Sequence, residues 1–229
     1  MRNTLSIFVV SMLLLGQAHA ETRTFDIRDF DEVSVGYGMR VSISQGGAYR
    51  IEATGEERDL NRLEVRQNGR RLEFSMDSSW MRWSRLGRIN LDITLPMLRK
   101  LGLSGGSQAT LDMRIGSESF SADLSGGSSL NGQMSCGDLN LSASGGSRVG
   151  LSGSGTRLRL SGSGGSRFEM RNFAATDVRA SLSGGSGAIV NVNGGLSAGL
   201  TGGSDVTYYG NARLGSIGAS GGSRVRHGS

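Results

Sequence analysis

The tetrapeptide Ser-Gly-Gly-Ser, once Thr-Gly-Gly-Ser, begins at Ser104, Ser125, Ser144, Ser163, Ser183, Thr201 and Ser220. The starts are 21, 19, 19, 20, 18 and 19 residues apart. A flexible Gly/Ser linker keeps no register, and this sequence keeps one. Five residues after each start stand Ala109, Leu130, Val149, Phe168, Ala188, Val206 and Val225. Two residues further on stand Leu111, Gly132, Leu151, Met170, Val190, Tyr208 and His227. The segments before the motifs alternate too: Phe120-Ala122-Leu124, Leu139-Leu141-Ala143, Leu158-Leu160-Gly162, Val178-Ala180-Leu182 and Leu196-Ala198-Leu200. Period two means strands with one buried face. A strand, a Gly-Gly corner, a second strand and a return, repeated about every 19 residues, is a solenoid whose coils stack in parallel.

The corner glycines are Gly105, Gly106, Gly126, Gly127, Gly145, Gly146, Gly164, Gly165, Gly184, Gly185, Gly202, Gly203, Gly221 and Gly222. They accept positive φ and carry no Cβ to meet the neighbouring rung. The flanking serines are expected to form hydroxyl ladders between rungs, and Thr207 is expected to face outward. With strands about 4.8 Å apart, seven corners predict a stack of roughly 30 Å.

Residues 21–103 differ from the repeats at 104–229: 30 of the 38 glycines follow residue 100, and both tryptophans precede it. In VSVGYGMRVSIS, Val33, Val35, Val41 and Ile43 flank Gly36-Tyr37-Gly38 at the offsets of the later apolar columns, so the stack is expected to begin there. LEVRQNGRRLEFSM alternates around Asn68-Gly69, a hairpin signal, GEERDLNRL predicts a short helical turn, and RINLDITLP is another alternating strand closed by Pro96. The expectation is an all-β chain with one continuous domain over 25–229, comprising an N-terminal cap with a β-hairpin and first coil, then the repeats.

FDEVSVGYGMRVSISQG, the hairpin region, the DITLPMLRKLGLSGGS junction and the repeats resemble the putative auto-transporter adhesin, head GIN domain family of bacterial secreted proteins. The likeness spans about residues 25 to 227. It implies a right-handed parallel β-helix-like fold and brings no established biochemical activity with it.

The first twenty residues, MRNTLSIFVVSMLLLGQAHA, combine Arg2, an apolar run from Leu5 to Leu15 and an Ala18-x-Ala20 ending, the form of a secretory signal. Cleavage near Ala20 and a periplasmic or secreted mature chain are expected. The apolar run is shorter than the roughly 20 residues of a membrane span, and no transmembrane segment is expected. Without Arg2 the chain has 24 basic and 20 acidic residues, a net of +4, too little to indicate nucleic acid. Cys136 is the only cysteine, so no intrachain disulfide forms; a free thiol in the MSCGD turn and an interchain link are the two alternatives.

No catalytic, cofactor or metal site is expected. A Walker-type loop needs a Lys-Ser/Thr pair and a following helix, which no motif has. Calcium-binding β-rolls place an Asp in every repeat, whereas only Asp205 directly follows a motif. With only His19 and His227 in the chain, a catalytic triad or His/Cys metal site lacks residues. Asp138 and Asp177 fall six residues before motifs two rungs apart, with Arg157 in the same column between them. A carboxylate pair for glycoside hydrolysis is one reading; a ladder of alternating charge is the favoured one, because Arg157 would pair with both acids rather than leave one protonated.

Two surfaces are candidates for ligands. Arg148, Arg167 and Arg224 share the outward position after the motif, and Lys100, Arg159 and Arg179 share another, four residues before it. Such a basic, hydroxyl-rich face suits anionic envelope or extracellular polysaccharide. WMRWSRLGR offers Trp80 and Trp83 with Arg82, Arg85 and Arg88, to stack on sugar rings, to meet a membrane interface or to cover the open end of the solenoid. The expected function is a non-enzymatic exported module for adhesion or envelope interaction, with a glycan-binding or glycan-active envelope protein as the alternative.

Overall fold

A computed structural model describes residues 20–77 and 88–228. The strands are β1 (Ala20–Thr24), β2 (Glu32–Val35), β3 (Arg40–Gln45), β4 (Arg50–Glu56), β5 (Leu63–Asn68), β6 (Arg71–Met76), β7 (Asn90–Leu95), β8 (Lys100–Leu103), β9 (Gln108–Arg114) and β10 (Phe120–Leu124). They continue with β11 (Ser129–Ala143), β12 (Arg148–Gly162), β13 (Arg167–Leu182), β14 (Gly187–Val192), β15 (Gly195–Leu200), β16 (Asp205–Tyr209), β17 (Arg213–Ala219) and β18 (Arg224–His227). One short helix, α1 (Glu57–Leu60), joins β4 to β5, where the helical turn was expected.

The chain is a β-solenoid. Strands before the corners form a leading sheet, β6–β2–β8–β10, continued by the second halves of β11, β12 and β13 and then by β15 and β17, all in parallel. Strands after the corners form a trailing sheet, β7–β3–β9, the first halves of β11 to β13, then β14, β16 and β18. The first apolar column holds register throughout: Ala109, Leu130, Val149, Phe168, Ala188, Val206 and Val225 are successive partners. Core volumes compensate across it. Gly162 stands beside Phe168, where an added Cβ would lie 2.8 Å from the Phe168 ring and from Leu182, so the smallest inward residue admits one of the largest.

Each corner is a turn with two positive-φ residues, +61° to +64° at the first glycine and +75° to +79° at the second. The two do different work. A Cβ on Gly126, Gly145, Gly164, Gly184, Gly202 or Gly221 would come within 3.1 to 3.3 Å of a glycine nitrogen in the neighbouring rung, whereas the second glycines have nothing within 4 Å. Close approach therefore constrains the first position alone. The serine hydroxyls act mainly within each turn rather than as the expected ladder between rungs. Ser107, Ser128, Ser147, Ser166, Ser186 and Ser204 are buried, and each Oγ donates to the carbonyl of the residue that opens its own motif, at 2.7 to 2.8 Å. The rung-to-rung links at the later corners are mostly backbone bonds, Gly146 to Gly164, Gly165 to Gly184, Gly185 to Gly202 and Gly203 to Gly221. Two hydroxyls bridge rungs as well, Ser186 Oγ accepting the Ser166 N–H at 3.2 Å and Ser223 Oγ the Ser204 N–H at 3.1 Å. Thr207 is not outward-exposed as expected: it is 8% exposed, and its Oγ1 accepts the Nε–H of Arg226 at 3.0 Å.

The degenerate corner is a true corner, but it does not begin the stack. Val33 and Val35 pair with Leu101 and Leu103 on one side and with Leu72 and Phe74 on the other, so β2 and β3 form the second rung and β6 and β7 the outermost. Tyr37 occupies the first positive-φ position there, φ 59°, and Gly38 the second, φ 72°. A non-glycine residue in this region costs about 1–2 kcal/mol. Beyond the outermost rung β5 adds antiparallel to β6, β4 adds antiparallel to β7, and β1 adds antiparallel to β4. The hairpin turn is one residue later than Asn68-Gly69: Asn68 pairs with Arg71, and of the loop residues Gly69 and Arg70 only Gly69 has positive φ, as in a type II′ turn. The buried Asp31 carboxylate ties this cap to the stack, accepting from Arg70 Nε at 2.9 Å and lying 3.3 Å from Arg99 Nε.

Candidate functional site

Period-two alternation sends every second residue of the leading sheet outward. One outward column runs Glu73, Ser34, Gly102, Asp123, Ser142, Ser161, Ser181, Gly199 and Gly218, each hydrogen-bonded neighbour to the next strand. The adjacent column runs Arg71, Glu32, Lys100, Ser121, Asn140, Arg159, Arg179 and Ser197. The first column is small or hydroxyl-bearing along most of its length. Four shallow grooves follow this one face: about 430 Å³ along Ser142, Ser161 and Ser181, about 290 Å³ between Arg159, Arg179 and Ser197, about 180 Å³ at Lys100 and Gly102, and about 610 Å³ at Ser34, Tyr37 and Glu73.

The charge along the strip is graded. Toward the cap, Arg71 pairs with Glu32 at 3.1 Å and Lys100 with Asp123 at 3.2 Å. Further along, Arg157 donates to both oxygens of Asp138 at 2.7 Å, and Arg159 lies 3.8 Å from the same carboxylate. The hydrogen bond from Arg157, with its charge and that of Arg159, holds Asp138 below the usual carboxylate range. Asp177 accepts the Gly195 N–H at 2.8 Å, so Arg157 makes its bidentate pair with Asp138 and not with both acids. An acid held ionised by an arginine is poorly suited to donate a proton to a leaving group. Among the described residues no three His, Cys, Asp or Glu side chains cluster to hold a metal.

Arg148, Arg167 and Arg224 lie elsewhere. They share an outward column of the trailing sheet with Gly187 and Asp205, and Arg167 reaches across Gly187 to within 3.7 Å of Asp205. Arg88 is exposed; Trp80, Arg82, Trp83 and Arg85 lie outside the described residues. Cys136 is buried, and burial with the neighbouring Asp138 charge pushes its thiol up to about 11, which disfavours the reactive thiolate. The serine strip was missed in the sequence although its signal was present: Gly102, Asp123, Ser142, Ser161, Ser181, Gly199 and Gly218 all stand two residues before a motif.

The family model for the putative auto-transporter adhesin, head GIN domain, matches residues 29–212. The chain belongs to that family. Among solved structures, the GIN domain is similar to a putative adhesin from Bacteroides fragilis, with a TM-score of 0.86 and 20% identity over 92% of this chain and 98% of that one. A putative adhesin from Parabacteroides merdae matches with a TM-score of 0.73 and 14% identity over 93% and 98% of the two chains. A putative lipid binding protein from Parabacteroides distasonis matches with a TM-score of 0.70 and 14% identity over the same shares. At these identities the likeness establishes the fold alone. No curated protein matches the sequence. No helix among the described residues is long and apolar enough to cross a membrane.

Proposed function

We propose that this GIN domain is an exported, non-enzymatic module for adhesion or envelope interaction, and that it holds extended polysaccharide along the outer face of its leading sheet. The observation that carries this reading is that three of these grooves lie on one outward strip rich in serine and glycine, with the groove at Arg159 and Arg179 in the column beside it. Small side chains let a polymer approach the backbone, and hydroxyls exchange donor and acceptor roles with sugar hydroxyls. Rungs about 4.8 Å apart repeat at a spacing comparable to one pyranose unit. Arg159 and Arg179 beside the strip give it a preference for acidic sugars. The signal-like first twenty residues support export.

The test is binding of the purified mature chain, without residues 1–20, to polygalacturonate. Replacing Arg159 and Arg179 together by Ser is expected to weaken binding about tenfold or more and to remove most of its salt dependence, while the thermal transition stays near wild type. If the double variant binds as wild type while Arg148→Ser/Arg167→Ser does not, the ligand face is the trailing sheet and the assignment fails. Absence of binding by the wild-type chain would also refute it.

A further inference from the structure

Tyr37 breaks a rule that every Gly-Gly corner obeys. Those corners place glycine at the first positive-φ position, at +61° to +64°, whereas Tyr37 adopts φ 59° with a full side chain. Among the described residues only Asp29 shares this departure. The direction of the side chain explains how it is tolerated. A Cβ on the first glycine of a later corner points at the rung nearer the cap: from Gly126 it would meet the Gly105 nitrogen, and from Gly105 the Tyr37 nitrogen. By the same geometry the Tyr37 Cβ points toward the outermost rung, where no Gly-Gly corner follows β6. Tyr37 is 39% exposed and borders the groove of about 610 Å³. Among the described residues the other polar side chains there are Ser34, Glu73, Ser75 and Ser104.

Strained backbone that delivers an exposed aromatic to a groove is a feature of binding sites rather than of scaffolds. Tyr37 offers an apolar ring face with a polar tip, and the serine hydroxyls and Glu73 carboxylate offer donors and acceptors at its margin. Among the described residues no cationic side chain lines the groove. On the polysaccharide reading above, we infer that Tyr37 is the stacking platform of a separate subsite at the cap end of the strip, selective for an uncharged pyranose ring. The Glu73 carboxylate accepts hydrogen bonds from sugar hydroxyls and disfavours uronate or sulfated rings by like-charge repulsion. The strip thus has two chemical ends, one for a neutral ring at Tyr37 and one for acidic rings at Arg159 and Arg179.

The experiment uses cellohexaose and laminarihexaose as neutral probes and polygalacturonate as the acidic one, with Tyr37→Gly as the principal variant and Tyr37→Phe as its control. Tyr37→Gly is expected to keep or raise the melting temperature, because glycine accepts the turn without strain. It is also expected to weaken neutral-hexamer binding about tenfold, while polygalacturonate binding stays near wild type. Tyr37→Phe retains neutral-hexamer binding, because it keeps the ring face. A Tyr37→Gly chain that binds neutral hexamers as wild type does, or a wild-type chain that binds neither hexamer, would overturn the subsite. A clear fall in melting temperature would overturn it as well, by showing that the ring holds the cap. None of these results alters the polygalacturonate test of the Arg159 and Arg179 face, so the two assignments fail separately.

Discussion

Gly145 and Gly146 are adjacent and chemically identical, yet the fold asks different things of them. Both need positive φ, so alanine at either site is expected to cost about 1–2 kcal/mol. At Gly145 the added methyl would also sit 3.2 Å from the Gly126 nitrogen, a backbone atom that cannot swing away. Gly145→Ala should therefore be the more damaging by about 1 kcal/mol or more, read as a lower urea midpoint. Equal midpoints for the two variants would mean that contact between rungs does not limit this position. Sequence alone marks both glycines as necessary and cannot separate them, since the difference depends on which Cβ direction faces a neighbour. Tyr37 makes the same point in reverse: GYG reads as a worn corner, and only the geometry of the adjoining rung shows why a side chain is tolerated there.

For strands and coils, much was legible. Unequal motif spacing even anticipates a bulge: the 20-residue interval after Ser163 is absorbed where the partner of Gly150 is Glu169 and that of Gly153 is Phe173, an offset that grows from 19 to 20. Less legible was the burial of outward positions by long neighbours, as when Arg226 covers Thr207. The serine strip escaped notice because following apolar columns says little about which outward columns adjoin a groove. The charged column does carry a prediction. Asp138 has its carboxyl held down in the folded chain, so its pair with Arg157 adds stability above the unfolded carboxylate pKa, and that contribution is lost as pH falls through the lower folded value. Asp138→Asn is expected to melt below wild type at pH 7, with the gap closing as pH drops below about 3.8. A gap that persists unchanged in acid would show that the pair's charge is not what the variant removed.

Across the whole molecule, stability is distributed by rung neighbours. β2 and β3 are each flanked on both sides, by β6 and β8 and by β7 and β9, whereas β17 is exposed along its whole length, with Leu214 54% exposed. Hydrogen exchange is expected to be slowest at Val33, Val35, Val41 and Ile43 and fastest at β17 and β18, by orders of magnitude if opening proceeds from that end. Uniform protection along the stack would mean that it opens as one cooperative unit. The order in which the chain visits its rungs also has a mechanical consequence. It lays down the second rung, doubles back to build the outermost, then crosses over the second again to start the third, so its early strands are stitched in from both sides. Tension applied near Glu32 must shear two ladders in the leading sheet before that strand comes free, whereas tension applied near Arg224 unzips β18 from β16 alone, one rung at a time.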